Sequence, residues 1–327
     1  MKRIFFLLLI VLQLIVIVIL SFNLTYQRDR ILEANKIKHI IKEEYLASPD
    51  NNNLSYYYEP KADTFEEVKV DWLDYKPRYH YNSDGLHEEK DYSLNKPKRV
   101  NRIITLGDSF TFGQYLENTA DNWTEQLEAK LNKSTCARKR TFEVINLGVF
   151  GYDIEYSAER FKRKGLKYNP DLVIWYLKDD DFKIINESFI PLERQITKDM
   201  GIERDSPEYY FSSGVVYPSW QRAIKEYGKL HSDKKVLDYQ HKVIKRLLSI
   251  YKKPLLFITF PKTQVIYRNF LRNLSTNQNT YLNENIPDIY KESRAVLPDF
   301  HPNKKGHKLI TENVFTYLIK NNLIPCW

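Results

Sequence analysis

From residue 100 onward, short runs of apolar residues alternate with longer segments that repeat apolar positions at helical spacing. The apolar runs predict strands at 100–106, 142–147, 171–177 and 254–260. The periodic segments predict helices at 118–132, 153–168, 234–251 and 304–321. Apolar strands that alternate with helices are typical of a parallel sheet covered on both faces. We therefore predict an α/β fold, a three-layer α/β/α sandwich.

The N-terminal segment has a different pattern. Residues 4–20 are apolar except for Gln13, and the apolar run continues through Phe22. At about 1.5 Å per residue, a helix over 4–22 is about 28 Å long, which is close to the hydrocarbon thickness of a bilayer. No A-x-A-like cleavage site follows, so we predict an uncleaved transmembrane anchor over 1–25, with a removed signal peptide as the alternative. Basic residues flank the run on both sides and leave its orientation open: Lys2, Arg3, Arg28, Arg30, Lys36 and Lys38.

Residues 26–95 are predicted to form a stalk and an N-terminal extension. Ile37, Ile40, Ile41 and Tyr45 lie at helical spacing, which predicts a short stalk helix within 26–47. The segment 54–95 contains a turn at 82–85 but too few apolar residues for a core of its own. The main domain is predicted over 96–327. Within it, 178–233 is predicted to be an irregular, aromatic-rich insertion that forms a lid or a substrate wall.

Charge and cysteine content narrow the range of partners. The chain carries a net charge of +8, but its basic runs match no nucleic-acid-binding module, so nucleic acid is not an expected partner. The two cysteines, Cys136 and Cys326, have no metal-ligand spacing. They form either one disulfide, in an oxidising compartment, or two unpaired thiols.

Residues suited to nucleophilic catalysis occur at two distant points of the chain. Ser109 lies three residues after the last residue of the predicted strand 100–106, and ligands of parallel sheets bind at the carboxyl ends of strands. A serine hydroxyl needs a nearby base to become a good nucleophile. His301 can be that base, with Asp299 two residues earlier holding the other ring nitrogen. His307 is the alternative base, but it falls inside the predicted helix 304–321, which favours His301.

Two segments carry a resemblance to a known family. The strand followed by Gly107-Asp108-Ser109-Phe110, and the late Asp299-Phe300-His301-Pro302 with Gly306 and His307, resemble the first and last blocks of the SGNH (GDSL-type) hydrolases over about 96–327. The resemblance implies a flavodoxin-like sandwich, with Ser109 as nucleophile, His301 as base and Asp299 as its orienter. It also implies that Gly151, in the second block at 146–151, donates a backbone N–H to an oxyanion. Neither a metal nor an organic cofactor is implied.

The third block departs from the family pattern. An oxyanion-binding asparagine is expected after the strand 171–177, and Asp179 stands there instead. An ionised carboxylate only accepts hydrogen bonds and repels an oxyanion. Three alternatives stay open: the crowded acidic neighbours keep Asp179 protonated, Lys178 takes over the stabilising role, or the site is catalytically weak and serves binding. A metal site on Asp179, Asp180 and Asp181 is disfavoured, because successive residues point in different directions.

These observations lead to an expected function. We expect a serine esterase that acts through an acyl-serine, with an ester as substrate, and O-acyl groups of an envelope glycan are the natural choice. The alternatives are an O-acyltransferase on a surface polysaccharide and a silent domain that binds or scaffolds glycan. By resemblance to anchored family members, the domain is expected outside the cytoplasm, held to the membrane through residues 4–22. Asn82, Gly85 and His87 are further candidates for the mouth of the site.

Overall fold

The computed structural model describes residues 13, 16–22, 24–25, 54–70, 72–202 and 213–326, with the backbone alone for 213–217. The chain divides into two compact units, Met1–Ser48 and Pro49–Trp327. In the first unit, residues 16–22 are helical and their side chains are exposed. Most of the predicted anchor and all of the predicted stalk helix lie outside the described residues. No described helix is both long enough and apolar enough to cross a membrane.

The second unit is built on a five-stranded parallel sheet. Its strand order is β4-β3-β5-β6-β7, and a separate antiparallel hairpin pairs β1 with β2. The strands are β1 (Thr64–Glu67), β2 (Arg78–Tyr81), β3 (Val100–Leu106), β4 (Thr141–Asn146), β5 (Leu172–Leu177), β6 (Leu255–Thr259) and β7 (Thr280–Asn283). Counted within the large sheet alone, this is the 2-1-3-4-5 order of flavodoxin-like folds, in which ligands bind where the strand order reverses.

Helices connect the strands of the large sheet. They are α1 (Ser109–Phe112), α2 (Trp123–Lys133), α3 (Ile154–Arg160), α4 (Asp179–Lys183), α5 (Asn186–Asp199), α6 (Ser213–Leu230), α7 (Asp233–Ile250), α8 (Val265–Leu274) and α9 (Lys304–Lys320). Helix α3 continues through one π turn, Phe161–Gly165, into a 3₁₀ turn, Leu166–Tyr168. Short 3₁₀ turns also precede and follow α2.

Both faces of the sheet are covered. Alternate residues of the strands, including Ile103, Val144 and Ile174, pack in one core with Trp123 of α2 and Val314 of α9. Because side chains alternate along a strand, the buried neighbours of these residues face the opposite side, where α3 packs against α7. The parallel α/β sandwich and the four predicted strands are confirmed. The fifth strand, β7, was not predicted because it lacks a long apolar run.

The segment 178–233 corrects one prediction. It was expected to be irregular, but its described residues are mainly the helices α4, α5 and α6. Phe189 of α5 packs against Trp220 and Tyr227 of α6, with ring centroids 6.3 and 5.7 Å apart. Pro191 and Pro218 lie inside these helices, and proline in a sequence normally argues against a helix. Aromatic packing between α5 and α6 therefore overrides the weak local preference.

The N-terminal extension packs onto the first helix of the sandwich. Val68, Val70, Tyr79 and Tyr81 form a small core with Phe112 of α1. The described part of the extension, from residue 54 onward, thus belongs to the same compact unit as the sheet, and it packs against the helix that begins at Ser109.

Candidate functional site

The turn between β3 and α1 presents Ser109 at the carboxyl end of a central strand. Gly107 has a φ of +149°, and a Cβ there would lie 2.4 Å from Thr111 Oγ1 and 2.8 Å from the Tyr176 carbonyl, so only glycine fits. Asp108 caps α1 by accepting a 3.0 Å hydrogen bond from the Phe110 N–H. Ser109 is the first residue of the helix. Its backbone N–H is among those that an α-helix leaves without an internal partner.

The second part of the site is the loop between β7 and α9. His301 donates from Nδ1 to Asp299 Oδ2 at 2.6 Å, and the His301 N–H donates to the other oxygen of Asp299 at 3.2 Å. The intervening Phe300 has a φ of +72°, in the left-handed region. A tight turn holds it there, in which Leu297 N–H donates to the His301 carbonyl and Phe300 N–H donates to the Leu297 carbonyl. This turn brings a carboxylate and an imidazole together across one spacer residue.

The two parts of the site meet at the residue after Ser109. The His301 ring lies 5.6 Å from the Phe110 ring and 5.5 Å from the Tyr115 ring, measured between centroids. The imidazole is one-fifth exposed, so it borders both the protein and the solvent. The Ser109 hydroxyl itself donates to Asp108 Oδ2 at 3.3 Å. Ser109 and the His301–Asp299 pair thus both border Phe110, with the serine hydroxyl turned toward Asp108.

Lys178 places a positive charge beside the serine. Its Nζ lies 2.5 Å from Asp108 Oδ2, the oxygen that also accepts from Ser109, and 4.0 Å from the centroid of Phe110. Burial alone would lower the pKa of Lys178, but neighbouring acidic groups, Asp108 foremost, outweigh it and raise that pKa above its ordinary value. The side chain is therefore an ammonium ion at neutral pH, and it can stabilise negative charge next to Ser109.

The three aspartates after β5 point to three separate partners. Asp179 Oδ1 accepts from the Gln264 N–H at 2.9 Å, at the start of α8. Asp180 is exposed and pairs with Lys183 at 3.5 Å, while Asp181 accepts from the Lys178 N–H at 2.6 Å. Burial, reinforced by Asp108, raises the pKa of Asp181 well above its ordinary value. Asp179 as an oxyanion-site residue stays a prediction, whereas Lys178 contacts Asp108, which also accepts from Ser109.

The loop after β4 lies against α1. A Cβ on Gly148 would meet the Phe112 nitrogen at 2.5 Å, so this glycine allows the close approach of the two segments. Gly151 has a φ of +74°, its carbonyl accepts from Asn186 Nδ2 at 2.8 Å, and a Cβ on it would lie 2.8 Å from the Tyr58 hydroxyl. These contacts explain why both residues are glycines. The donation of the Gly151 N–H to an oxyanion stays a prediction.

The other candidate histidines have structural contacts. His307 is buried, accepts the Trp123 N–H at Nδ1 at 3.1 Å, and has a pKa lowered to about 3 by burial, with a smaller effect of His301. His87 donates from Nδ1 to the Phe112 carbonyl at 2.9 Å, and burial lowers its pKa to about 4. Both rings are therefore neutral at pH 7. His307 joins α9 to α2, which favours His301 as the base.

Asn82 and Gly85 contribute to the turn of the extension. Asn82 Oδ1 accepts from the N–H groups of Asp84 and Leu86, and the Gly85 carbonyl accepts from Arg160 at 2.8 Å. These hydrogen bonds connect the turn to its own backbone and to α3. They assign both residues to folding.

Two features of the site were missed by sequence reasoning. The Gly-Asp-Ser motif alone gives Asp108 no role of its own, although an acidic residue directly before a helix is a common N-cap. The aromatic residues Phe260 and Tyr290, whose rings are 5.0 Å apart, were not assigned to the site. Phe260 directly follows β6, and a strand end in a parallel sheet is the signal that could have identified it.

Comparisons with known proteins give structural neighbours only. No protein-family model matches the sequence, and no curated protein matches it either. A psychrotrophic esterase, EstA, from Pseudoalteromonas sp. is 17% identical, with a TM-score of 0.43, over 68% of this chain and 98% of the other. A family 3 carbohydrate esterase from Clostridium thermocellum is 13% identical, with a TM-score of 0.41, over 68% and 96%. A two-domain esterase active on acetylated mannans is 16% identical, with a TM-score of 0.44, over 68% and 50%.

Proposed function

We propose that this protein is a serine ester hydrolase of the SGNH type. The observation that supports the proposal is that Phe110, the residue after Ser109, packs its ring 5.6 Å from the imidazole of His301, which pairs with Asp299. A hydroxyl, an imidazole and a carboxylate in this order are the parts of a nucleophile–base–orienter triad.

In the proposed reaction, the Ser109 hydroxyl leaves Asp108 and donates to Nε2 of His301. Catalytic hydrogen bonds of this kind often form only when substrate is bound. Ser109 Oγ attacks the ester carbonyl carbon as His301 takes the proton, and the carbonyl electron pair moves onto the oxygen. Collapse of this intermediate releases the alcohol, which receives the proton from His301. Water then attacks the acyl-serine by the same route and releases the carboxylic acid and free Ser109.

The negative oxygen formed in each step needs donors. In this proposal the Ser109 N–H at the start of α1 is one of these donors. The Lys178 ammonium takes the place of the asparagine side chain that the family pattern has after β5. Removal of a single oxyanion donor typically slows catalysis by about 10²–10³-fold. Asp108 holds Lys178 in place through their 2.5 Å ion pair.

The proposed substrate is an O-acyl group on an envelope glycan, and the proposed location is outside the cytoplasm with residues 4–22 as the membrane anchor. The disulfide between Cys136 and Cys326 supports this location, because disulfides persist in oxidising compartments. The two cysteines therefore follow the paired alternative of the sequence-based interpretation.

The test is ester hydrolysis by the full-length chain in detergent micelles. We expect wild-type protein to release acetate from ethyl acetate, and Ser109→Ala to lower kcat by about 10³-fold or more without unfolding. The control is Ser134→Ala, at a serine after α2, which should leave the rate within twofold. A folded wild type that releases no more acetate than Ser109→Ala would instead support a catalytically silent domain.

A further inference from the structure

Four aromatic rings form a continuous row that leads from the serine to the surface, and we call this set the aromatic row. Its members are Phe110, Phe260, Tyr290 and Phe300. Successive centroids are 6.4, 5.0 and 6.1 Å apart, and each pair is close to edge-to-face. Exposure rises along the row through 4, 9, 38 and 66%. The row therefore starts beside the nucleophile and ends at a ring that is mostly in solvent.

Phe300 has two unfavourable features at once. Its ring is 66% exposed, and its backbone has a φ of +72°, which is an outlier for a bulky residue. Backbone strain of this kind persists where the surrounding structure enforces it, and it clusters at functional sites. Here the strained residue lies between Asp299 and His301. Its conformation brings the carboxylate to the imidazole, and the same turn presents the phenyl ring beside the catalytic base.

Charged groups border the outer half of the row. Lys262 lies with its Nζ 5.5 Å from the centroid of Tyr290 and 3.7 Å from Asp288 Oδ2. Asp288 also pairs with Lys291 at 3.9 Å. A surface with an apolar ring face and hydrogen-bonding groups at its edge matches a sugar ring, which has an apolar C–H face and a rim of hydroxyls. An acyl chain has no groups that would use the charged edge.

We propose that Phe300 and Tyr290 are specificity-determining residues that bind the sugar ring carrying the ester, so that the substrate class is an O-acylated carbohydrate. This inference rests on the proposed function, since it assigns the alcohol side of the same ester. The sugar packs on the exposed rings of the aromatic row, and the acyl carbon lies next to Ser109.

The experiment compares three esters in wild-type protein, in two variants at Phe300 and in one control variant. Phe300→Asn removes the ring but keeps a residue that tolerates a positive φ, and Phe300→Trp keeps a ring. Acetylated xylo-oligosaccharide is the sugar ester, ethyl acetate is the small ester, and ethyl octanoate tests the acyl chain. The matched control is Phe65→Asn, at a phenylalanine of β1 that is 59% exposed.

For Phe300→Asn, we expect the ratio of kcat/KM on the sugar ester to kcat/KM on ethyl acetate to fall about tenfold or more, mainly through KM. Phe300→Trp should keep that ratio near the wild-type value, and Phe65→Asn should not change it. An equal fall on both esters would overturn the proposal, because Phe300 would then only position the His301–Asp299 pair. A loss confined to ethyl octanoate would overturn it too, because the row would then bind acyl chains.

A binding measurement separates this inference from the proposed function. In a Ser109→Ala background, acetylated xylo-oligosaccharide should bind, and adding Phe300→Asn should raise its Kd about tenfold. This holds whether or not the wild type turns over. Absence of binding, or an unchanged Kd, would contradict the sugar-binding role even if ethyl acetate is hydrolysed by wild type and not by Ser109→Ala.

Discussion

At the scale of single residues, an informative group in the candidate site is Lys178, a partly buried lysine close to Ser109. Lys178 contacts the same Asp108 oxygen as Ser109, so its charge lies close to the Ser109 hydroxyl. A preorganised charge in a water-poor site stabilises developing negative charge more strongly than it would in bulk water. This arrangement offers a physical substitute for the amide donor that Asp179 cannot provide.

Replacing Lys178 tests that role. We expect Lys178→Met to lower kcat on ethyl acetate by about 10²–10³-fold with a small change in KM, because only the transition state gains the full negative charge. Lys178→Arg keeps the charge and should recover part of the rate. Lys183→Met, at a lysine of α4 that pairs with Asp180, is the matched control and should retain activity. A folded Lys178→Met protein with kcat within twofold of wild type would remove Lys178 from the mechanism.

At the scale of elements, the contact between α3 and α7 should make stability depend on pH. Burial raises the pKa of Glu155 to about 8 from an ordinary 4.5, with Asp153 acting in the same direction, and Tyr239 of α7 donates to its carboxylate. The folded state keeps this proton up to higher pH than the unfolded state does. The free energy of unfolding therefore contains a contribution that is complete below about pH 4.5 and is lost as the pH rises toward 8.

Glu155→Gln removes this titration and keeps an acceptor for Tyr239. We expect the free energy of unfolding of wild type minus that of the variant to fall as the pH rises from 5 to 8, by at most about 1.4 kcal/mol per pH unit. Urea denaturation of both proteins at each pH measures the difference. A difference that stays constant across this range would show that Glu155 ionises normally in the fold.

Some strands and contacts can be predicted from the sequence alone, and others cannot. The strands β3, β4, β5 and β6 are mostly buried, so their apolar runs predict them from the sequence. Ser109 is a candidate because it lies after a predicted strand, and His301 is one because Asp299 lies two residues before it. β7 has four residues with mixed exposure and lacks such a run. The Lys178–Asp108 pair depends on β3 and β5 being neighbours in the sheet, and residue order along the chain does not give that adjacency.

At the scale of the whole molecule, one covalent bond joins the two sides of a shared core. The disulfide links Cys136, after α2, to Cys326, after α9, across a sequence separation of 190 residues. A cross-link that closes a long loop restricts the unfolded chain strongly, and such bonds typically contribute about 2–4 kcal/mol. The disulfide thereby fixes the closing helix α9 to α2. The hydrogen bond from the Trp123 N–H to His307 of α9 joins the same two helices.

The double variant Cys136→Ser/Cys326→Ser should unfold at lower urea concentration, with a loss of about 2–4 kcal/mol. Reductant should destabilise the wild type by a similar amount and should not affect the double variant. Two titratable thiols in the native, unreduced wild type would contradict the paired state.

Covalent labelling tests most directly whether Ser109 is an activated nucleophile. Full-length protein is treated with a fluorophosphonate, and the adduct is located by peptide mass spectrometry. We expect one adduct, on Ser109, absent from Ser109→Ala and formed much more slowly in His301→Gln, because the proposed base that activates the serine is then missing. A folded protein that stays unlabelled, or that is labelled at another serine, would contradict it.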